Sequence, residues 1–149
     1  MFEKIKKYGI IFVPLLVGIL ASLLSNFDLY NDINLPTVAP PAILFPIVWS
    51  VLYLVIGISY YLLSKDSNEK ENKVLFYTQL IINFIWVICF FNFRLFLLCF
   101  ILIIILDFIV LYMILTYYRY NKISAYLLIP YFIWLVFATY LNWTIFLIN

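Results

Sequence analysis

The sequence predicts an all-α fold, an integral membrane bundle of five transmembrane helices in one domain over residues 1–149. Three observations carry that prediction. The chain is 68% hydrophobic against about 45–50% for soluble domains, and its mean hydropathy is +1.13. Apolar runs long enough to cross a bilayer, roughly 20 residues at 1.5 Å rise each, recur five times between polar stretches. Five such spans with short connections use nearly all of the 149 residues and leave no room for a soluble catalytic domain.

The first span is expected at about 6–25. Its Lys-rich start, MFEKIKKY, has the look of a secretory signal, yet the run from Gly9 to Leu24 is long for one and ends without a small-x-small cleavage site. It reads as a retained helix. Gly18 with Ser22, and Ala21 with Ser25, give it two small-xxx-small pairs that permit close helix approach. The acidic connection NFDLYNDINLPTVAPP follows as a lid-like loop over 26–41. Pro36, Pro40 and Pro41 stiffen it, since each ring fixes φ and restrains the residue before it.

The second span covers about 42–64, with Pro46 in its first turn, where a missing N–H costs little. The charged turn KDSNEKENK separates it from the third, about 74–92. The connection FNFR is so tight that the third span and the fourth, about 95–118, must be antiparallel neighbours. RYNKI pairs the fourth with the fifth, about 124–148, in the same way.

Charge sets the orientation. Lys4, Lys6, Lys7, Lys65, Lys70, Lys73, Arg119 and Lys122 fall on one side, and Arg94 alone on the other. Basic residues in short loops stay on the cytoplasmic side, so the amino terminus should be cytoplasmic, with loop 26–41 and the carboxyl terminus outside. Richness in Ile, Asn and Lys fits a bacterial plasma membrane. The net charge of +2 comes from dispersed basic residues, which argues against a nucleic-acid partner. With no histidine, the commonest haem ligand, zinc ligand and general base are missing. Cys89 and Cys99 lack CxxC spacing and read as small buried hydrophobes. Neither a metal site nor a resident cofactor is expected.

Polar and aromatic residues within the spans are the candidate site. Asp107 lies mid-span, where a carboxylate costs about 2.5–3.5 kcal/mol. It is either a ligand contact or proton acceptor, or a buried carboxyl tying the fourth span to a neighbour. Gln79, Asn83, Trp86 and Phe90 recur at steps of four, three and four on the third span. Tyr131, Trp134, Ala138 and Asn142 do so on the fifth, and Phe45, Trp49 and Tyr53 on the second. Such stripes serve packing and interfacial anchoring, or they line a pocket for a flat apolar ligand with polar edges.

Three stretches, PPAILFPIVWSVLY at 40–53, NFIWVICFF at 83–91 and LLIPYFIWLVFATYLNWTIFLIN at 127–149, carry a specific likeness. The chain resembles the translocator protein family, also called tryptophan-rich sensory proteins or peripheral-type benzodiazepine receptors, over essentially its whole length. That resemblance implies a five-helix bundle, commonly a homodimer in membrane lipid, whose pocket takes porphyrins such as protoporphyrin IX and other hydrophobic ligands. It implies that Trp49 and Trp134 are the tryptophans that bacterial members are proposed to use in light- and oxygen-dependent porphyrin breakdown. Tyr30, Asn83 and Ala138 match pocket-lining positions, Pro40 and Pro41 match the paired prolines of the first loop, and Asp107 matches an acidic position. With Phe45, Tyr53 and Trp86 from the stripes, these form the candidate ligand-binding set. Leu29, Leu35 and Val38 stand where relatives carry Trp, Lys and Trp. A porphyrin-binding protein, a transporter or sensor of similar molecules, and a packed bundle with incidental ligands are the readings open to the sequence.

Overall fold

The computed structural model describes residues 8–149. Its secondary structure is helical throughout these residues, in six α-helices: α1 Val13–Leu23, α2 Leu29–Asp32, α3 Leu44–Asp66, α4 Lys70–Phe93, α5 Phe96–Tyr120 and α6 Lys122–Ile148. The last four are each long and apolar enough to cross a membrane. The first stretch, Ile10–Leu23, is a shorter apolar helix.

That first stretch differs from the expected helix over 6–25, whose residues 6 and 7 lie outside the described ones. Its regular α-helix is limited to Val13–Leu23 and follows a 3-10 turn at Ile10–Phe12. Pro14 is the cause. It has no N–H to give to the Ile10 carbonyl four residues back, and that carbonyl accepts the Val13 N–H in a tighter turn instead. The loop expected over 26–41 also contains the short helix α2, which has no apolar periodicity long enough to announce it.

Helix ends follow local chemistry more closely than hydropathy. α4 begins at Lys70, ahead of the apolar run, because Lys and Glu are good helix formers and Glu71 in the first turn suits the positive end of the helix dipole. It ends where Arg94 adopts φ 53°, the left-handed conformation that closes many helices. Asn121 caps α6, its side-chain oxygen accepting from the Ser124 N–H at 2.9 Å.

Around the bundle the helices run in the order α1, α3, α6, α5, α4 and back to α1. The tight turns do make α4 and α5, and α5 and α6, neighbours. Two glycines bring α1 and its leading turn onto α3. A Cβ on Gly57 would occupy the place of the Ile11 carbonyl, and one on Gly18 the place of the Tyr53 ring. Between α3 and α6, the Ser59 hydroxyl donates to the Ser124 carbonyl at 2.7 Å and the Ser124 hydroxyl to the Ser59 carbonyl at 2.8 Å. Ile56, Phe76, Ile103, Leu106, Met113, Leu128, Leu135 and Ile145 fill the core. Phe108, Leu115 and Ile133 point outward, exposed and apolar. Apolar surface on the outside as well as within is the pattern of helices in lipid.

The segment from Leu24 to Ile43 crosses one end of the ring and is held there by side-chain amides. Asn92 donates to the Leu24 carbonyl at 2.7 Å and accepts from the Asn26 N–H at 2.9 Å. Asn149 accepts from the Asn34 N–H at 2.8 Å and donates to the Asn34 carbonyl at 3.0 Å. Arg94 pairs with Asp32 at 3.8 Å.

Candidate functional site

A cavity of about 490 Å³ lies beneath this segment, walled by α1, α3 and α4. Its α1 wall is made of Leu15, Gly18, Ile19, Ala21, Ser22 and Leu23, and small side chains there leave the room. Opposite stand Phe45, Trp49 and Tyr53 on α3, one helical turn apart, with Trp86 and Phe91 of α4 and Tyr30 of α2 closing the end. A smaller hollow of about 10 Å³ lies between α3, α4 and α6. Tyr30, Phe45, Trp49, Trp86 and Phe91 line both spaces, and Phe90, Ala138, Leu141 and Asn142 complete the smaller one. The shared aromatics therefore stand as a partition between the cavity and the bundle interior.

Trp49 is the centre of that partition. Its ring centroid is 5.5 Å from Tyr53, 5.9 Å from Trp86 and 6.3 Å from Tyr131. These distances fall within the range of favourable aromatic pairs. Tyr30 meets Phe45 edge-on at 5.1 Å, and its hydroxyl donates to the Pro40 carbonyl at 2.9 Å. Burial pushes the Tyr30 phenol above its ordinary value.

Below the aromatics runs a buried chain of polar groups. The Tyr53 hydroxyl donates to Asn83 Oδ1 at 2.7 Å, Asn83 Nδ2 donates to the Tyr131 hydroxyl at 3.4 Å, and Tyr131 donates to Gln79 Oε1 at 2.9 Å. Beside it, Trp86 Nε1 donates to Asn142 Oδ1 at 3.2 Å, and Asn142 Nδ2 to the Ala138 carbonyl at 2.7 Å. An unpaired polar group in this setting costs about 1–3 kcal/mol. The network thus holds Tyr53 and Trp86 in fixed orientations at the cavity wall. Among the described residues, no Asp, Glu, Lys or Arg lines either space.

The expected site residues are distributed as follows. Tyr30, Phe45, Trp49, Tyr53 and Trp86 come together around the cavity, and Ala138 at the smaller hollow. Asn83 is in the network behind Tyr53, and Pro40 contributes its carbonyl to the Tyr30 latch. The Pro41 carbonyl accepts from the Leu44 N–H at 2.9 Å and starts α3. Trp134 lines neither space; it packs edge-on against Phe45 at 6.2 Å and beside Phe137 at 5.4 Å. Asp107 lines neither space either. Its Oδ2 accepts from the Thr139 hydroxyl at 2.6 Å, a bond between α5 and α6.

Gln79, Tyr131 and Asn142 lay on the sequence stripes without being assigned to the site, and they hold the network together. The α1 wall was missed. Its signal was the Gly18, Ala21 and Ser22 set of small residues, which packing alone would also explain.

Fold and site together define a multi-pass helical membrane protein with an aromatic, uncharged cavity between α1, α3 and α4. The chain matches the TspO/MBR family over residues 10–148. It is 38% identical over 122 residues to the tryptophan-rich protein TspO of Archaeoglobus fulgidus, covering 80% of this chain and 79% of that protein. To the tryptophan-rich protein TspO of Bacillus cereus it is 31% identical over the full length of both. It is also 27% identical over 124 residues to protein CrtK of Rhodobacter capsulatus, covering 80% and 78%. The chain belongs to the TspO/MBR family.

Proposed function

We propose that the protein binds porphyrins, protoporphyrin IX among them, in the cavity beneath the Leu24–Ile43 segment. The observation that carries this reading is the partition centred on Trp49. A flat macrocycle needs aromatic faces for its rings and few polar groups for its edges, and the cavity offers Trp49, Phe45, Tyr53 and Trp86 with the Tyr30 lid above them. Its volume of about 490 Å³ lies in the range of small-molecule pockets, about 300–1,000 Å³.

The proposal extends to light- and oxygen-dependent breakdown of the bound porphyrin. Trp49, at the cavity wall, mediates electron transfer between the excited ring and dioxygen, which is the oxidant and ends reduced while the ring is oxidised, and Trp134, behind Phe45, is the second indole of the path. This chemistry needs no titrating side chain at the ligand, in keeping with a wall free of Asp, Glu, Lys and Arg. The first apolar helix is proposed as a fifth span. Among the described residues, Lys65, Lys70, Lys73, Arg119 and Lys122 lie at the bundle end opposite Arg94, which supports a plasma-membrane orientation with the amino terminus in the cytoplasm. Homodimer formation belongs to the same proposal and rests on the family likeness alone.

The test is protoporphyrin IX fluorescence with purified protein, in the dark and under light. Saturable quenching in the dark and bleaching under light in air are expected. A Trp49→Phe, Trp134→Phe double variant that bleaches the porphyrin as fast as the parent would remove the breakdown step and leave binding standing.

A further inference from the structure

The cavity is closed on its inner side, at its floor and toward the end of the bundle. Inside stands the aromatic partition. The floor is the contact of α1 and its leading turn with α3, where the Tyr53 ring covers Gly18 and the Ile11 backbone lies on Gly57. Toward the bundle end the buried Tyr30 is latched to the Pro40 carbonyl at 2.9 Å, and Phe27 meets Phe91 with ring centroids 4.6 Å apart. The remaining side, the seam between α1 and the start of α3, is open. Leu23, Ile43 and Ile19 line the cavity and are nonetheless 78%, 67% and 48% exposed. Ser22, Pro46 and Ser50 along the same seam are exposed too, and too short to close the gap.

Chemistry and depth both fit this opening to lipid. Its rim is apolar and carries no Asp, Glu, Lys or Arg. The Ser50 hydroxyl donates to the Pro46 carbonyl of its own helix at 2.6 Å, so it makes no demand for water. α3 is long and apolar enough to cross a membrane, and at 1.5 Å per residue the stretch from Pro46 to Ser50 lies within about 9 Å of its start at Leu44. A hydrocarbon core is about 30 Å thick, so the opening belongs to the outermost third on that side. A flat ring with acid groups on one edge rests at this depth, the ring among the acyl chains and the carboxylates, which are costly to bury, at the headgroups.

Resting on the reading of the cavity as a porphyrin site, we propose that the α1–α3 seam is its mouth and that the ligand enters sideways from the lipid leaflet beside the Leu24–Ile43 segment, not from water. Ile43, where that segment joins α3, is the upper lip of the mouth. The ties of the segment to Asn92 and Asn149 hold this lip in place.

The test follows protoporphyrin IX association and release by stopped-flow fluorescence in the dark, with the full-length protein in phospholipid vesicles. Ile43→Trp, which narrows the mouth, is expected to slow both rates about ten-fold, and Ile43→Ala, which widens it, to speed both about three-fold. Affinity should stay within about three-fold of the parent in each, because a path alters rates and not the equilibrium. In vesicles whose acyl chains are brominated, the indole introduced by Ile43→Trp should be quenched. Rates unchanged in both variants, or an affinity change carried by release alone, would overturn the seam as the mouth while the porphyrin site stands. Quenching of that indole by aqueous iodide and not by brominated lipid would overturn delivery from the leaflet. If the parent binds no porphyrin saturably, the site itself falls, and this proposal with it.

Discussion

Tyr53 donates its hydroxyl to Asn83 Oδ1 at 2.7 Å, and the same Tyr53 ring covers Gly18 of α1. One side chain thereby joins the cavity wall, the buried amide chain and the α1–α3 contact. Tyr53→Phe keeps the ring over Gly18 and deletes the donor, leaving Asn83 Oδ1 buried without its partner. The expected cost is about 1–2 kcal/mol, read as a lowered thermal midpoint in detergent. An unchanged midpoint would show that the amide chain does not hold the cavity wall.

Gly57 and Gly18 should respond differently to the same substitution. At Gly57 an added methyl meets the Ile11 backbone, which cannot step aside, and overpacking of that kind costs about 1–3 kcal/mol. At Gly18 it meets the Tyr53 ring, which has the cavity to move into. Gly57→Ala is therefore expected to lower thermal stability more than Gly18→Ala, whereas Gly18→Ala should weaken porphyrin binding more. Paired melting and titration curves check both halves.

Asn34 and Asn149 tie the covering segment to the end of α6 at the bundle surface. Their amides are exposed, so Asn149→Ala should leave the thermal midpoint nearly unchanged. Its expected effect is on dissociation, where changes at a binding site usually appear: porphyrin release should speed up by about three- to ten-fold. Stopped-flow displacement measures it, and an unaltered release rate would show that this latch does not govern the mouth.

Asp107 is expected to matter little for the ligand. Asp107→Asn keeps an acceptor for the Thr139 hydroxyl and removes a carboxyl from mid-span, so porphyrin affinity should stay within about two-fold of the parent. A larger loss in the titration would place Asp107 in the ligand's path and revive the transporter reading, which a titrating group there would fit.

Much of this was legible in the sequence because the bilayer makes hydropathy a direct readout of helix position. The four long helices follow their apolar runs, and the stripes contain Tyr53, Asn83, Trp86 and Asn142, which the structure then pairs across helices. Other features had no such signal. α4 starts at Lys70 on helix propensity, which hydropathy does not see, and Pro14 tightens the turn ahead of α1 through a missing N–H. The ring order, with α1 between α3 and α4, depends on where Gly18 and Gly57 allow contact. Trp134 shows the limit of stripe reasoning. A step of three residues turns the helix about 300°, so Trp134 points about 60° away from Tyr131 and ends behind Phe45 instead of at the cavity wall.

The central claim is that porphyrin occupies the space between α1 and the Trp49 partition. Ser22 lines that space from the α1 wall and is otherwise exposed, so Ser22→Phe fills the cavity without entering the core. Titration of protoporphyrin IX against the parent and this variant, with melting curves for both, is the most direct measurement. Saturable binding by the parent and at least a ten-fold loss in Ser22→Phe at an unchanged thermal midpoint is the expected result. Equal affinity in the two proteins would contradict it.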